Sequence, residues 1–171
     1  MSYRIRLATP ADLPALLHLA AASRGIMERS GNPHQWAGGF PPESVLRQDI
    51  ASGQACLMED EADGAPSGAF IWGPGPDASY ARIDGAWLDD VAPYHVVHRL
   101  LSVPEKKGIF AAMLRYCFAR TGNLRADTHA DNRIVQHLLT KHGFSYCGII
   151  QLADGRGARL AYQKIITPPH E

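Results

Sequence analysis

The clearest pattern of hydrophobic and polar positions lies in residues 94–144, where it predicts strand, turn, helix, strand and helix in that order. Residues 94–102 are apolar and partly β-branched, and no helix or strand breaker interrupts them. Such a run is typical of a strand that is buried on both faces. Alternation along this strand predicts that Val96, His98 and Leu100 share one face.

A basic turn at residues 103–108 follows this strand and contains one proline, two lysines and a glycine. From Ile109 onward apolar residues recur at helical spacing, which predicts a helix directly after the turn. The free N–H groups and the positive end of that helix favour an anion at this point. Residues 124–128 then predict a second strand, and Asp131 or Asn132 caps the helix after it.

The rest of the chain predicts a mixed sheet with helices on both faces. Thr9, Pro10 and Asp12 mark a helix start, because they supply a cap, a first-turn proline and an acid. The other expected elements are strands at residues 3–8, 54–58, 68–72 and 80–83, a helix at 42–51, and two closing strands within 145–166 with a bulge at Gly148. We therefore expect the α/β class, with a central twisted mixed sheet of about six to seven strands. The whole chain, residues 1–171, forms one domain that ends in a loose tail at 168–171.

Four short motifs follow one another along this pattern. They are His98-Arg99-Leu100, a proline-containing turn with Lys107-Gly108-Ile109, Asp127-Thr128 with Asn132, and Lys141-His142-Gly143-Phe144. In this order and spacing they resemble the acyl-CoA-binding core of the GNAT N-acetyltransferase superfamily, and the flanking strands and helices fit the same fold over nearly the whole chain. The resemblance implies a GNAT-like fold. It also implies transfer of an acetyl group from acetyl-CoA to a primary amine, of a small molecule or a peptide N-terminus, by direct attack.

The same resemblance implies where acetyl-CoA binds. The amides of Leu100, Leu101 and Ser102 are expected to pair with the pantetheine arm and to polarise the thioester carbonyl. The diphosphate is expected to meet Lys106, Lys107, Gly108, Ile109 and Phe110. The alternative for the two lysines is that they only solvate a turn. Asn132 matches a position that contacts the CoA arm, and it also suits a helix cap.

Three positions depart from the family pattern. The diphosphate turn usually has the form Arg/Gln-x-x-Gly-x-Gly/Ala, and here Glu105 and Phe110 take its first and last positions. Leu139 replaces the tyrosine that protonates the leaving thiolate in many members. These departures leave two alternatives open. One is a non-catalytic GNAT-fold protein that binds CoA or another ligand; the other is an interaction module without CoA, in which Phe110 fills the diphosphate site.

Candidate catalytic residues follow from proton chemistry. His98 is the candidate general base, because its ordinary pKa lies near neutral pH and it lies on the strand expected to line the thioester. The alternative is a hydrogen-bonded core histidine, and His129 is a second candidate in a loop. Tyr146 and Cys147 are the candidate proton donors, with packing inside a strand as their alternative.

The acceptor site is predicted from aromatic and acidic residues on loops. Trp36, Trp87 and Asp84, together with Asp89 and Asp90, form a pocket that would hold a cationic amine through cation–π and charge attraction. The alternative is that both indoles pack in the interior and the acids are solvated.

Composition narrows the function further. Lys plus Arg and Asp plus Glu both number 17, so the chain has no global basic field for nucleic acid or an anionic membrane. The three cysteines lack metal-ligand spacing, and we expect reduced thiols in a cytoplasmic protein without a metal. No signal peptide, membrane-span run, P-loop or dinucleotide motif is found. A homodimer formed through the last strands is left open.

Overall fold

The computed structural model describes residues 1–167, and the predicted tail at 168–171 lies outside them. The elements within that range are β1 (Tyr3–Leu7), α1 (Leu13–Arg29), α2 (Glu43–Ala51), β2 (Ala55–Asp60), β3 (Pro66–Pro74), β4 (Asp84–Gly85), β5 (His95–Ser102), α3 (Ile109–Phe118), β6 (Asn123–Thr128), α4 (Arg133–Lys141), β7 (Ser145–Gln151) and β8 (Ala158–Ile165). The predicted mixed α/β sheet is confirmed, with eight strands in place of the expected six to seven. Over the same residues, no helix has both the length and the hydropathy that a membrane span needs.

One predicted strand is wrong. Residues 80–83 do not join the sheet, because Ala78–Tyr80 forms a short 3-10 helix. Asp77 caps that helix, with its Oδ1 accepting the Ser79 N–H at 2.8 Å. Strand pairing begins only at Asp84, which pairs with Ile149.

The sheet has the order β1-β2-β3-β5-β6-β8-β7-β4. Every pair is antiparallel except β5 with β6, which α3 connects as a crossover helix. The parallel ladder contains three residue pairs, from His95 with Leu124 to Val97 with Ala126. Both strands continue beyond it without pairing to each other, so the sheet opens between them.

A β-bulge in β5 coincides with this opening. Val97 pairs with Trp72 and Leu100 with Phe70, so three steps along β5 oppose two along β3. Val97 and Leu100 consequently pack in one core cluster, whereas Val96 packs in another. The predicted common face of Val96, His98 and Leu100 is therefore wrong, because the bulge interrupts the alternation.

Helices cover both faces of the sheet, as predicted. One core cluster joins α3 and α4 to inward-facing strand residues such as Phe70 and Leu124. A second cluster joins α1 and α2 to residues of the opposite face, among them Leu57 and Leu101. A fully buried leucine or phenylalanine contributes about 1.5–3 kcal/mol to folding, so each helix pair is held firmly on its side of the cleft.

A buried arginine holds the loop between β4 and β5. The Arg125 guanidinium lies 3.9 Å from the Trp87 ring centroid and 3.8 Å from that of Tyr94. Its Nη2 also donates to the Asp89 carbonyl at 2.9 Å. A cation between two aromatic faces is favourable when it is desolvated, so this contact anchors the loop to β6.

The bulge predicted at Gly148 is confirmed by the register shift between Tyr146 and Gly148. Gly148 has a φ of 143°, and a Cβ built there would lie 2.1 Å from the Asp84 carbonyl oxygen. A side chain would therefore push β4 away from β7.

We expect Gly148→Ala to lower the free energy of unfolding by about 1–3 kcal/mol more than Gly155→Ala, because it adds overpacking. Gly155 is a matched control: its φ of 80° is also positive, but a Cβ there meets nothing within 4 Å. Urea denaturation of the two variants measures the difference. Equal losses would contradict the proposed clash with β4.

Candidate active site

A cavity lies in the opening between β5 and β6. Its empty volume is about 550 Å³. The walls are mainly apolar and include Val97, Leu100, Phe110, Met113, Leu124 and Val135. Polar groups are concentrated among Gln35, His98, Asp127, Thr128 and Asn132. An apolar cleft with a few convergent polar groups is the usual form of a small-molecule site.

A second, polar cavity adjoins the first, with an empty volume of about 350 Å³. The two cavities share Gln35, Trp36, His98 and Asp127. The polar cavity is also lined by Arg99, Leu152, Arg156 and Arg159. His98 and Asp127 therefore lie where an apolar compartment meets a basic one.

The β5 bulge places His98 at this junction. Its side chain is 33% exposed, and Nε2 lies 3.4 Å from Asp77 Oδ2. Asp77 is itself held in place, because its N–H donates to Tyr94 Oη at 3.0 Å. Burial lowers the pKa of His98 below its ordinary 6.5, and the Asp77 charge opposes that shift. His98 is thus a neutral imidazole at neutral pH, as a general base must be.

Asp127 is fixed by a buried tyrosine. Tyr80 Oη donates to Asp127 Oδ2 at 2.6 Å. Burial raises the pKa of Asp127, while the Tyr80 hydrogen bond and the charges of His98 and Arg159 oppose the rise. Burial, followed by the Asp127 charge, raises the pKa of Tyr80 well above 10.0. The phenol therefore stays protonated and continues to orient the carboxylate.

The predicted anion site at the start of α3 has an open approach. Gly108 is the N-cap with a φ of 76°, and a Cβ built there would meet nothing within 4 Å. The first helical hydrogen bond runs from the Ala112 N–H to the Gly108 carbonyl at 3.0 Å. The N–H groups of Ile109 and Phe110 precede that bond, so they are available to an anion.

The two lysines of the turn are in different situations. Lys106 Nζ lies 2.5 Å from Asp60 Oδ2 and 3.6 Å from Asp63 Oδ2, so its charge is already paired. Lys107 is exposed, and its carbonyl accepts the Tyr3 hydroxyl at 2.6 Å. The structure thus separates a lysine that anchors the turn from one that faces solvent.

Phe110 packs inward. It belongs to the same core cluster as Leu139 and Phe144, and its ring centroid lies 5.4 Å from that of His142. Because the second residue of α3 faces the sheet, the aromatic ring lines the apolar cavity and leaves the space over Gly108 open.

The three β5 amides differ in availability. Ser102 N–H donates to Ser23 Oγ at 2.9 Å, so the α1 hydroxyl already occupies it. Val103 N–H donates to the Ser67 carbonyl at 3.4 Å, toward β3. N–H directions alternate along a strand. The N–H of Leu101 therefore also points to β3, and the N–H of Leu100 points to the opening. Of the three predicted amides, that of Leu100 is therefore best placed to contact a ligand.

Asn132 caps α4, as one of its two predicted roles requires. Its Oδ1 accepts the Val135 N–H at 3.1 Å, and its Nδ2 donates to Gln35 Oε1 at 2.9 Å. Gln35 Oε1 also accepts from Asn32 Nδ2 at 2.9 Å. The loop that carries Trp36 is thereby tied to the helix start beside the cavity.

The structure places the candidate proton donors away from the cleft. Tyr146 is 56% exposed on β7, and its ring packs 5.7 Å from that of Tyr162. Cys147 is buried on the same strand, and burial raises the pKa of its thiol. Strand β8 lies between β7 and β6. Neither residue is among those that line the two cavities.

The predicted acceptor pocket does not assemble. Trp36 lines both cavities. Asp84 lies on β4 at the far edge of the sheet, and one face of Trp87 is covered by Arg125. The indole therefore cannot offer that face to an external cation. The other candidate histidine, His129, makes a local contact, since its Nδ1 accepts the Asp131 N–H at 3.0 Å.

Sequence reasoning missed four residues of the site: Gln35, Asp77, Tyr80 and Arg159. Asp127 was noted only within a motif, although it lies near the carboxyl end of a strand beside a helix, where ligands of such sheets bind. Asp77 follows a Gly-Pro loop and gives no comparable signal. Across residues 1–167, no group of three or more His, Cys, Asp or Glu side chains converges as a metal site would require.

The sequence matches no protein-family model and no curated protein, but solved structures match it over nearly its whole length. A GNAT-family acetyltransferase from Streptococcus agalactiae is 30% identical with a TM-score of 0.86, and the match covers 97% of this chain and 96% of that one. A GNAT-family acetyltransferase from Listeria monocytogenes is 23% identical, with a TM-score of 0.67 and coverage of 96% and 95%. The aminoglycoside acetyltransferase AAC(6')-Ib, solved with coenzyme A and kanamycin, is 18% identical, with a TM-score of 0.65 and the same coverage.

The two hydrogen bonds of Asn132 can be separated by substitution. We expect Asn132→Ala to lower the free energy of unfolding by about 1 kcal/mol, because α4 loses its cap. Asn132→Asp loses the amide donor to Gln35 but keeps an acceptor for Val135, so its loss should be smaller. Urea denaturation compares the variants, and equal losses would show that the bond to Gln35, rather than the cap, is the stabilising contact.

Proposed function

The chain belongs to the GNAT family of acetyltransferases and is an acyl-CoA N-acyltransferase; on that premise we propose that it transfers an acetyl group from acetyl-CoA to the primary amine of a small molecule or peptide. The observation that carries the proposal is the position of His98, where the apolar and polar cavities meet. The donor thioester would arrive through the first cavity and the amine through the second. A related fold has been solved with coenzyme A and kanamycin together, so a domain of this shape can hold a thiol cofactor and an amine at the same time.

The apolar cavity suits the pantetheine arm of acetyl-CoA. Its walls come from both separated strands, and the Leu100 N–H faces the opening, where it would donate to the thioester carbonyl. The diphosphate would lie over Gly108, at the free N–H groups of α3, with Lys107 adding charge. Lys106 would act indirectly, because its ion pair with Asp60 holds the turn in position.

His98 supplies the proton chemistry in this proposal. In this proposal the neutral imidazole carries its proton on Nε2, the nitrogen 3.4 Å from Asp77 Oδ2, and Nδ1 accepts the proton of the amine as the amine nitrogen bonds to the carbonyl carbon. The carbon–sulfur bond then breaks, and the thiolate takes a proton from the His98 imidazolium. Leu139, at the position of the usual tyrosine, lines the apolar cavity and has no proton to give. A single histidine therefore serves as base and then as acid.

The two lysines give a matched test of the donor site. We expect Lys107→Ala to weaken CoA binding by about two- to fivefold, the size of one exposed charge contact. Lys106→Ala should lower the melting temperature of the free protein and leave CoA affinity within about twofold. Thermal melting against a CoA titration, with ATP as a control, measures both effects. A larger affinity loss in Lys106→Ala would contradict the assignment, and no CoA-dependent shift in the wild type would contradict the proposed function.

The role of His98 has a pH signature. Protonation of the amine substrate alone lowers kcat/KM as the pH falls. We expect an additional, steeper fall with a midpoint below the ordinary histidine value of 6.5, because the free base of His98 is the active form and its pKa is lowered. His98→Gln should remove this additional fall and lower kcat/KM by about a hundredfold to ten-thousandfold. His95→Gln is the control, since His95 lies on the same strand with its ring stacked 5.0 Å from Trp72.

Asp77→Asn extends the same test. The Asp77 charge raises the pKa of His98, so its removal should move the additional fall to still lower pH. If the additional fall persists in His98→Gln, or moves to higher pH in Asp77→Asn, His98 is not the base.

A further inference from the structure

One wall of the polar cavity is a buried arginine without a carboxylate partner. Arg159 lies on β8 and is 4% exposed. In the described chain, no carboxylate oxygen lies within 4.0 Å of its guanidinium, whereas the neighbouring Arg99 and Arg156 form ion pairs with Asp49 and Asp154. Burial lowers the pKa of Arg159. A buried charge without an ion-pair partner is costly, so the cavity favours a negative group.

The arginine is already oriented. Its Nη1 donates to the carbonyls of Arg156 at 3.2 Å and Ala158 at 2.9 Å, and its Nη2 donates to the Gln35 carbonyl at 3.3 Å. A guanidinium has five N–H donors, so two are left over once these three bonds within residues 1–167 are made. A carboxylate accepts two such donors in a single planar contact.

The same cavity contains the groups that handle an amine. His98 and Asp127 line it together with Arg159, and Trp36 provides an apolar wall. Asp127 is attracted to Arg159 over a longer distance, but its carboxylate accepts the Tyr80 hydroxyl at 2.6 Å. A ligand with an amine at one end and an anion at the other would match this arrangement of charge.

We propose that the acceptor is an amine that also carries a carboxylate, as amino acids do, and that Arg159 binds this carboxylate while the amine faces His98. The inference rests on the proposed acetyl transfer and names its substrate class. Arg159 is the specificity residue. One unpaired guanidinium balances one negative charge, which favours a carboxylate over a phosphate monoester with nearly two.

The proposal also excludes polycationic acceptors. Of the three guanidinium groups that line the cavity, those of Arg99 and Arg156 are already paired with carboxylates, so it is the charge of Arg159 that would repel an additional ammonium group such as those of kanamycin. An amine that also carries a carboxylate therefore replaces the cationic amine expected from Trp87 and Asp84.

Binding without turnover provides the first test. The protein, saturated with free CoA, is melted in the presence of the common L-amino acids and their carboxamides, with kanamycin and phosphoethanolamine as further ligands. At least one amino acid should raise the melting temperature, whereas its carboxamide should not. The shift should vanish in Arg159→Gln, should partly remain in Arg159→Lys, and should persist in Arg120→Gln, which removes a charge that stacks on Tyr116 elsewhere. Stabilisation by carboxamides, kanamycin or phosphoethanolamine equal to that by any amino acid, or no shift with any acid, overturns the proposal.

Turnover of the same panel with acetyl-CoA, followed by release of the CoA thiol, separates the two claims. The preferred amino acid should exceed its carboxamide by about tenfold or more in kcat/KM, the effect of a charged hydrogen bond. Arg159→Gln should lose that preference mainly through KM. Equal acetylation of acid and carboxamide overturns the inference and leaves acetyl transfer standing. If binding depends on the carboxylate but no CoA thiol is released, the carboxylate site stands and acetyl transfer to these amino acids is contradicted. The comparison of an amino acid with its carboxamide in the wild-type protein tests the inference even if Arg159→Gln does not fold.

Discussion

The early end of the parallel ladder between β5 and β6 is the constraint on which the site depends. After three residue pairs the two strands continue apart, and every backbone group past that point needs another partner. The Ser23 hydroxyl is the partner of the Ser102 N–H, and the Leu100 N–H faces the cleft. The bulge that accompanies the separation turns His98 toward the same space. A single irregularity in the sheet thus creates the cavity, a free amide and the position of the candidate base.

Packing on both faces keeps this opening from closing. Helices α3 and α4 are fixed on one side by the cluster around Phe70 and Leu124, and α1 on the other by the cluster around Leu101. The loop that carries Trp36 is tied to α4 through Gln35 and Asn132. The cleft is therefore lined by elements with extensive cores of their own, which is the condition for a preorganised site.

Periodicity was sufficient to predict the helices and most strands, because each has a long amphipathic or buried run. It failed where one residue changed the local geometry. No glycine or proline lies beside His98 and Arg99 to indicate a bulge. The residues beyond Val97 were therefore predicted to lie on the wrong face of the sheet. Trp87 was expected to meet a ligand cation, but Arg125, which resembles an ordinary strand residue in sequence, covers it from within the protein. Pairing between distant residues leaves no trace in local composition, and so Asp77 and Arg159 were not predicted either.

The departures from the family pattern acquire a structural meaning once side-chain directions are known. Close approach of a diphosphate depends on the residue whose backbone lies under it; in the proposed site that residue is Gly108, which has a positive φ and open space where a Cβ would stand. Phe110 lies two residues further on and faces the core, so its size affects the shape of the apolar cavity rather than access to the turn. Leu139 extends the same apolar wall. In the proposed mechanism that wall supplies no proton, so proton transfer would take place on the polar side of the cleft, where His98 faces Asp77 and Arg159 has no ion-pair partner among the described residues. On this proposal the residues that depart from the pattern would shift the acid–base chemistry toward the acceptor, so that recognition of the acceptor and deprotonation of its amine would share one cavity.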